Sequence, residues 1–185
     1  PQAGATYSGA AGRAYVVFGQ AGGFDAWLDL ATLDGVQGFS LAPAGDDDYY
    51  AGNAVSNAGD INGDGFGDIV IGAHGQNQFA GTAYVVFGKP ESFPAEISLA
   101  TLDANDGLTI TGIEAYTYAG ASVSSAGDIN GDGFDDIVIA APYAQNNGAS
   151  FVIFGHPNGG PSQVPLSSMN GTNGFEIRSG EYDYT

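Results

Sequence analysis

The chain repeats itself, and the period of that repeat limits what it can fold into. "GRAYVVFG" at 12–19 returns as "GTAYVVFG" at 81–88 and as "GASFVIFG" at 148–155, a period of about 68 residues. "LATLDG" at 30–35 returns as "LATLDA" at 99–104 and more loosely as "LSSMNG" at 166–171. "GFSL" at 38–41 returns as "GLTI" at 107–110 and "GFEI" at 174–177. The longest shared stretch is "VSNAGDINGDGFGDIVIGAH" at 55–74 against "VSSAGDINGDGFDDIVIAAP" at 123–142.

One period reads as four short strands, near Gly52–Ala58, Asp68–Gly72, Thr82–Phe87 and Gly107–Gly112. The runs "DIVIG" and "AYVVFG" are β-branched or aromatic without polar alternation, the pattern of strands buried on both faces. Such a unit fits one blade of a β-propeller, because stacked blades cover both faces of each sheet. A two-sheet sandwich would leave one polar face per strand, and these strands have none. The expected fold is therefore all-β, built of propeller blades of four antiparallel strands, with a short helical turn at each "LATLD".

Residues 1–51 read as the second half of a blade, its third and fourth strands, with a connection. Residues 52–118 read as a complete blade, and 119–185 as another with the start of the next connection. That makes a partial propeller of about two and a half blades, Pro1 aligning with Pro142. No ring closes with so few, so the chain is expected to be an excerpt of a longer protein, or to complete a ring with other copies.

Charge narrows the function. Against 21 Asp and Glu stand 3 Lys and Arg, a net charge of −18. Arg13, Lys89 and Arg178 cannot assemble a basic patch, so nucleic acid is excluded as a primary partner. With no Cys there is no disulfide, and another staple is needed. The longest nearly apolar stretch, about Ile137 to Ala144, is too short to span a bilayer.

The staple is legible in "DINGDGFGD" (60–68) and "DINGDGFDD" (128–136). Both carry oxygen-bearing side chains at positions 1, 3, 5 and 9. Calcium takes six to eight oxygen ligands, backbone carbonyls included, in a flexible cage. Asp60, Asn62, Asp64, the Phe66 carbonyl and Asp68 make one such set; Asp128, Asn130, Asp132, the Phe134 carbonyl and Asp136 make the second. Gly63 and Gly65 allow the curl. Unlike an EF-hand, closure comes at position 9 and a strand follows at once. Magnesium demands stricter geometry, and an all-oxygen set disfavours zinc. A bare Asp-Gly turn explains one such match far better than two at the same place in two repeats. The expectation is two calcium sites with a structural role. Affinities of about 0.1–1 mM would leave them empty in cytosol and filled outside the cell.

"GDINGDGFGDIVIGA" followed by "GTAYVVFG" resembles the FG-GAP repeat of integrin α-subunit propellers and many bacterial surface proteins. The resemblance covers essentially the whole chain. It implies a seven-bladed ring with calcium in the loop joining first and second strands, and so the same ten residues as ligands. "GAP" survives as "AAP" at 140–142 and drifts to "GAH" at 72–74. The near identity of the two loops and the absence of Cys look more like a bacterial array than an animal integrin, so animal-style ligand recognition is not carried over.

His74 and His156 are single-copy changes in loops and read as ordinary substitutions, and no nucleophile elbow is present. "DDDYY" (46–50), "EAYTYAG" (114–120) and "GEYDYT" (180–185) place acid and tyrosine in loops that would suit a binding face. Trp27 reads as blade packing. The expected function is a calcium-stabilised, secreted or cell-surface, non-enzymatic module for adhesion or for binding a protein or glycan. Alternatives are the propeller part of a secreted carbohydrate-active enzyme, and a self-assembling element joined through open blade edges.

Overall fold

The three repeat copies fold into three neighbouring sheets. The structure, a computed structural model, describes residues 12–45 and 50–178. Pro1, most of "DDDYY" and "GEYDYT" lie outside the described residues.

The first sheet holds β1 (Ala14–Val17) and β2 (Gly38–Ala42). The second holds β3 (Ala54–Gly59), β4 (Asp68–Ala73) and β5 (Thr82–Val86), with β6 (Glu96–Ser98) leaving it before β7 (Gly107–Thr111). The third holds β8 (Ser122–Gly127), β9 (Asp136–Ala141) and β10 (Ala149–Ile153), with β11 (Gln163–Pro165) leaving it before β12 (Gly174–Arg178). Within each complete sheet the four main strands run antiparallel in chain order, β3-β4-β5-β7 and β8-β9-β10-β12. These are propeller blades with all four expected strands.

The sheets hold more than the expected four. β6 crosses to the first blade and pairs parallel with β2, Ser40 opposite Glu96. β11 likewise crosses to the second blade and pairs parallel with β7, Thr109 opposite Gln163. Each blade is thus stitched to the one before it. The stitches are three-residue segments with no apolar period, and their partners lie in another repeat, so no local signal marks them. Pro165 is tolerated because it ends an edge strand.

Alternation along the middle strands divides the core in two. Val70, Ala83, Val85 and Phe87 face the third blade, packing with Ile61, Ile137, Ile139 and Phe151. Ile71, Ala73, Tyr84 and Val86 face the first blade, packing with Phe39, Leu41 and Leu99. Every residue of β5 is buried, as strands covered on both faces require. The "LATLD" segments form short 3₁₀ turns at Leu30–Thr32, Leu99–Thr101 and Leu166–Ser168. Leu99 and Leu166 are buried at 2% and 1% exposure, so the later two turns are pinned by their leucines. Among the described residues no helix is long and apolar enough to cross a membrane.

Candidate metal centre

The antiparallel order puts each acidic loop at one end of its blade, between first and second strands. A β-bulge shifts the register between Asn57 and Gly59, and another between Ser125 and Gly127. Gly59 (φ 78) and Gly127 (φ 67) adopt the left-handed backbone that turns the strand into the loop.

Loop 60–68 then curls around the first carboxylate. Asp60 Oδ1 accepts from the N–H groups of Gly63 (2.8 Å) and Asp64 (3.0 Å), and Oδ2 accepts from Gly65 (2.9 Å). Asn62 Oδ1 accepts from the Asp64 N–H at 2.9 Å, and its Nδ2 donates to Asp64 Oδ2 at 2.9 Å. Asp64 Oδ1 accepts from the Phe66 N–H at 2.8 Å. Gly63 (φ 75) and Gly65 (φ 89) supply the positive φ angles this needs.

Asp68 is placed differently. It is 1% exposed, and its Oδ2 accepts from the Ile61 N–H (2.9 Å) while Oδ1 accepts from the Gly88 N–H (2.8 Å). It therefore clasps the loop to the end of the third strand. Burial pushes its carboxyl up to about 6, against the two N–H donors that favour the charged form, and the Asp64 and Asp60 charges push the same way as burial.

Loop 128–136 repeats the pattern bond for bond. Asp128 accepts from Gly131 (2.7 Å), Asp132 (3.0 Å) and Gly133 (2.9 Å). Asn130 Oδ1 accepts from the Asp132 N–H and its Nδ2 donates to Asp132 Oδ2, while Asp132 Oδ1 accepts from the Phe134 N–H. Asp136, 0% exposed, accepts from Ile129 and Gly155, each at 2.9 Å.

The profile of the FG-GAP repeat matches residues 51–86 and 119–153, spans that each hold one of these loops and the two strands after it. The chain carries FG-GAP repeats. Integrin alpha-5 of Xenopus laevis is 34% identical over 149 residues, 74% of this chain and 13% of that subunit. Integrin alpha-PS5 of Drosophila melanogaster is 34% identical over 116 residues, 60% of this chain and 10% of the relative. Mouse integrin alpha-IIb is 31% identical over 143 residues, 70% of this chain and 13% of the relative. The chain thus spans only about a tenth of the length of the curated relatives it matches.

Within each FG-GAP loop the structure brings the first, third and fifth residues into one hydrogen-bonded curl and ties the ninth to backbone beneath it. Among the described residues no three Asp, Glu, His or Cys side chains converge at metal-ligating distance. The donors nonetheless suit a hard cation: every side chain aimed into the curl ends in a carboxylate or amide oxygen, and the curl is solvent-facing from Gly63 to Gly67. Asp60, Asn62, Asp64 and Asp68, with Asp128, Asn130, Asp132 and Asp136, are the side chains that would hold such a cation, and Phe66 and Phe134 stand at the seventh position of each loop. The Phe66 ring lines a cavity of about 220 Å³ between the first two blades, with Phe18, Phe39 and Phe93.

The opposite end of the FG-GAP blades gathers tyrosines of the loops 46–50 and 114–120 around His74 and Phe79. His74 stacks on Tyr50 (centroids 4.6 Å) and on Tyr118 (5.8 Å). Phe79 stacks on Tyr118 (5.2 Å) and Tyr116 (6.2 Å), and Tyr143 meets Tyr118 at 5.1 Å. Burial lowers the His74 pKa below the ordinary histidine value. His156 lies in a loop on the metal side, its ring Nδ1 2.9 Å from the Pro157 carbonyl. Among the described residues neither histidine is hydrogen-bonded to a nucleophilic side chain. Trp27, expected to pack within a blade, is instead 76% exposed in the β1–β2 connection. All three cations have partners: Arg13 pairs with Glu96, Lys89 with Asp106 (2.8 Å), and Arg178 with Gln145 (2.6 Å).

Proposed function

We propose that loops 60–68 and 128–136 each bind one calcium ion, and that the chain is part of an extracellular, non-enzymatic propeller that engages a protein or glycan partner. The observation that carries the reading is the reproduction of one hydrogen-bond pattern, around oxygen ligands at positions 1, 3, 5 and 9, in two separate blades. Three carboxylates in nine residues repel one another, and a divalent cation among them removes that repulsion. A site of about 0.1 mM affinity in hundredfold excess calcium stabilises the fold by about 2.7 kcal/mol. The integrin α-subunit relatives support adhesion as the setting. The rings of Tyr116 (63% exposed) and Tyr143 (66% exposed) are available to a partner at the end away from the metal. Calcium titration calorimetry on the 185-residue chain tests the reading: two ions per chain are expected, and no uptake at millimolar calcium defeats it.

A further inference from the structure

The acidic loops of the second and third blades touch, and ligand-bearing segments meet on both sides of the contact. The Asp60 N–H donates to Asp135 Oδ2 at 2.8 Å, and the Asp135 N–H donates back to the Asp60 carbonyl at 3.1 Å. Asp60 opens loop 60–68, whereas Asp135 stands inside loop 128–136, between Phe134 and Asp136 at its seventh and ninth positions. The Phe134 ring lies over Gly63, where a Cβ would fall 2.3 Å from it. A Cβ on Gly59 would fall 2.2 Å from Asp135 Oδ2, so glycine is what lets the carboxylate in.

A second contact leaves from Asp136. Its Oδ1 accepts from the Gly155 N–H at 2.9 Å, and the next residue, His156, donates its N–H to the Ile61 carbonyl at 2.9 Å. The Asn158 N–H reaches the Asn62 carbonyl at 3.1 Å. Three consecutive residues at the start of loop 60–68 are thus held through their backbone by the third blade. Asp60 is held by loop 128–136 directly, and Ile61 by a residue next to one that Asp136 fixes. Ile61, buried at 1% exposure, closes the contact on the core side.

We propose, on the calcium reading above, that the two metal loops are coupled through Asp135, so that an ion in either loop raises the affinity of the other. An ion held between the fifth and ninth positions of loop 128–136 fixes the segment that carries Asp135 and the Phe134 ring. The backbone of Asp60, the first ligand of the neighbouring loop, is then set before its own ion arrives. That removes part of the ordering cost of binding. Coupling of this kind is reciprocal, so an ion in loop 60–68 tightens the other site by the same factor. Asp135 is a positioning residue, acting on the neighbouring loop through the Asp60 N–H. Gly67 holds the matching place in loop 60–68, which curls in the same way, so the curl itself does not require an acid there.

Calorimetry on the 185-residue chain measures the coupling. Asp132→Ala disables loop 128–136 and gives the calcium affinity of loop 60–68 beside an empty neighbour; Asp64→Ala gives the reverse. The product of these two association constants is the value for independent sites. The native chain should exceed it by about tenfold, the size of one charge-assisted hydrogen bond. Asp135→Gly, added to all three chains, should abolish the excess, while Asp135→Asn, which keeps an acceptor oxygen, retains most of it. A purely structural role for Asp135 would lower every affinity and leave the excess in place. Where an Ala chain fails to fold, Asn at the same position removes the charge and keeps an acceptor for the Phe66 or Phe134 N–H. A native chain that binds two ions as independent sites, or an Asp135→Gly series with the excess unchanged, overturns the coupling and leaves the calcium reading standing. A native chain that takes up fewer than two ions overturns both. Amide exchange reads the same link without the first ion: in the Asp64→Ala chain, saturating calcium should slow exchange of the Asp60 N–H about tenfold. No change there overturns the coupling.

Discussion

The two ends of the second blade turn the chain by opposite means. At the metal end, left-handed backbone falls on glycine at 59, 63 and 65, where it costs no steric strain. At the aromatic end it falls on Gly52, Gly81 and Gly120 but also on residues with side chains: Tyr50 (φ 70), Asn77 (φ 53), Gln78 (φ 57), Phe79 (φ 61), Tyr116 (φ 65) and Tyr118 (φ 58). Each such residue costs roughly 1–2 kcal/mol. That strain is offset by stacked rings and a ladder from one connection to the next, Tyr116 N–H to the Gln78 carbonyl (3.1 Å) and Tyr118 N–H to the Phe79 carbonyl (2.8 Å). One end is limited by charge and the other by packing. The first should answer to divalent ions, the second to side-chain volume and protons.

The sharpest way to break that contrast is chelation. Removing calcium from the loaded chain is expected to cost about 2.7 kcal/mol per site and to lower the melting temperature by several degrees, with Asp64→Ala reproducing about half. A chelator that leaves the melting temperature unchanged ends the charge-limited account. Next in size is a reversal of the usual order of substitutions at Phe79. Both Ala and Gly lose the stacked ring, but Gly relieves the positive φ, so Phe79→Gly should be more stable than Phe79→Ala by about 1 kcal/mol. Urea unfolding measures the pair, and the difference should be the same with and without calcium. If Gly is the worse residue, the aromatic end is not strained.

The smallest effect is the response to pH. The folded His74 pKa lies below its unfolded value of about 6.5, so the unfolded chain takes up the proton first as pH falls. The stabilisation is fully present above about pH 6.5 and is lost progressively below it. Melting curves at pH 7.5 and 5.5 should differ more for the native chain than for His74→Phe, which keeps a stacking ring and cannot titrate. Equal slopes would remove His74 as the source.

The curl of the two acidic loops was legible in sequence because its hydrogen bonds fix residue types. Oxygen at positions 1, 3, 5 and 9 and glycine at the turns leave few alternatives. The four main strands were legible for a similar reason, since burial on both faces demands runs such as "DIVIG". The aromatic end gave no such sign: Tyr and Phe are not turn formers, and their left-handed angles are imposed by stacking between repeats. Asp135 carried no sign of its role, since its partner Asp60 lies 75 positions away. Trp27 misled because "DAWLDL" resembles a buried run, yet none of the described structure covers it.

The parallel stitches set a timetable for biosynthesis. The outer edge of β7 is complete only when Gln163–Pro165 lies beside it. A ribosome adding about 5–20 residues per second reaches Gln163 several seconds after Thr111. During that interval the second blade, its four main strands already made, presents a bare strand edge. The fold is thereby assembled like overlapping tiles, each row fastened by the row laid after it, and a stalled chain is left with its newest edge unfastened.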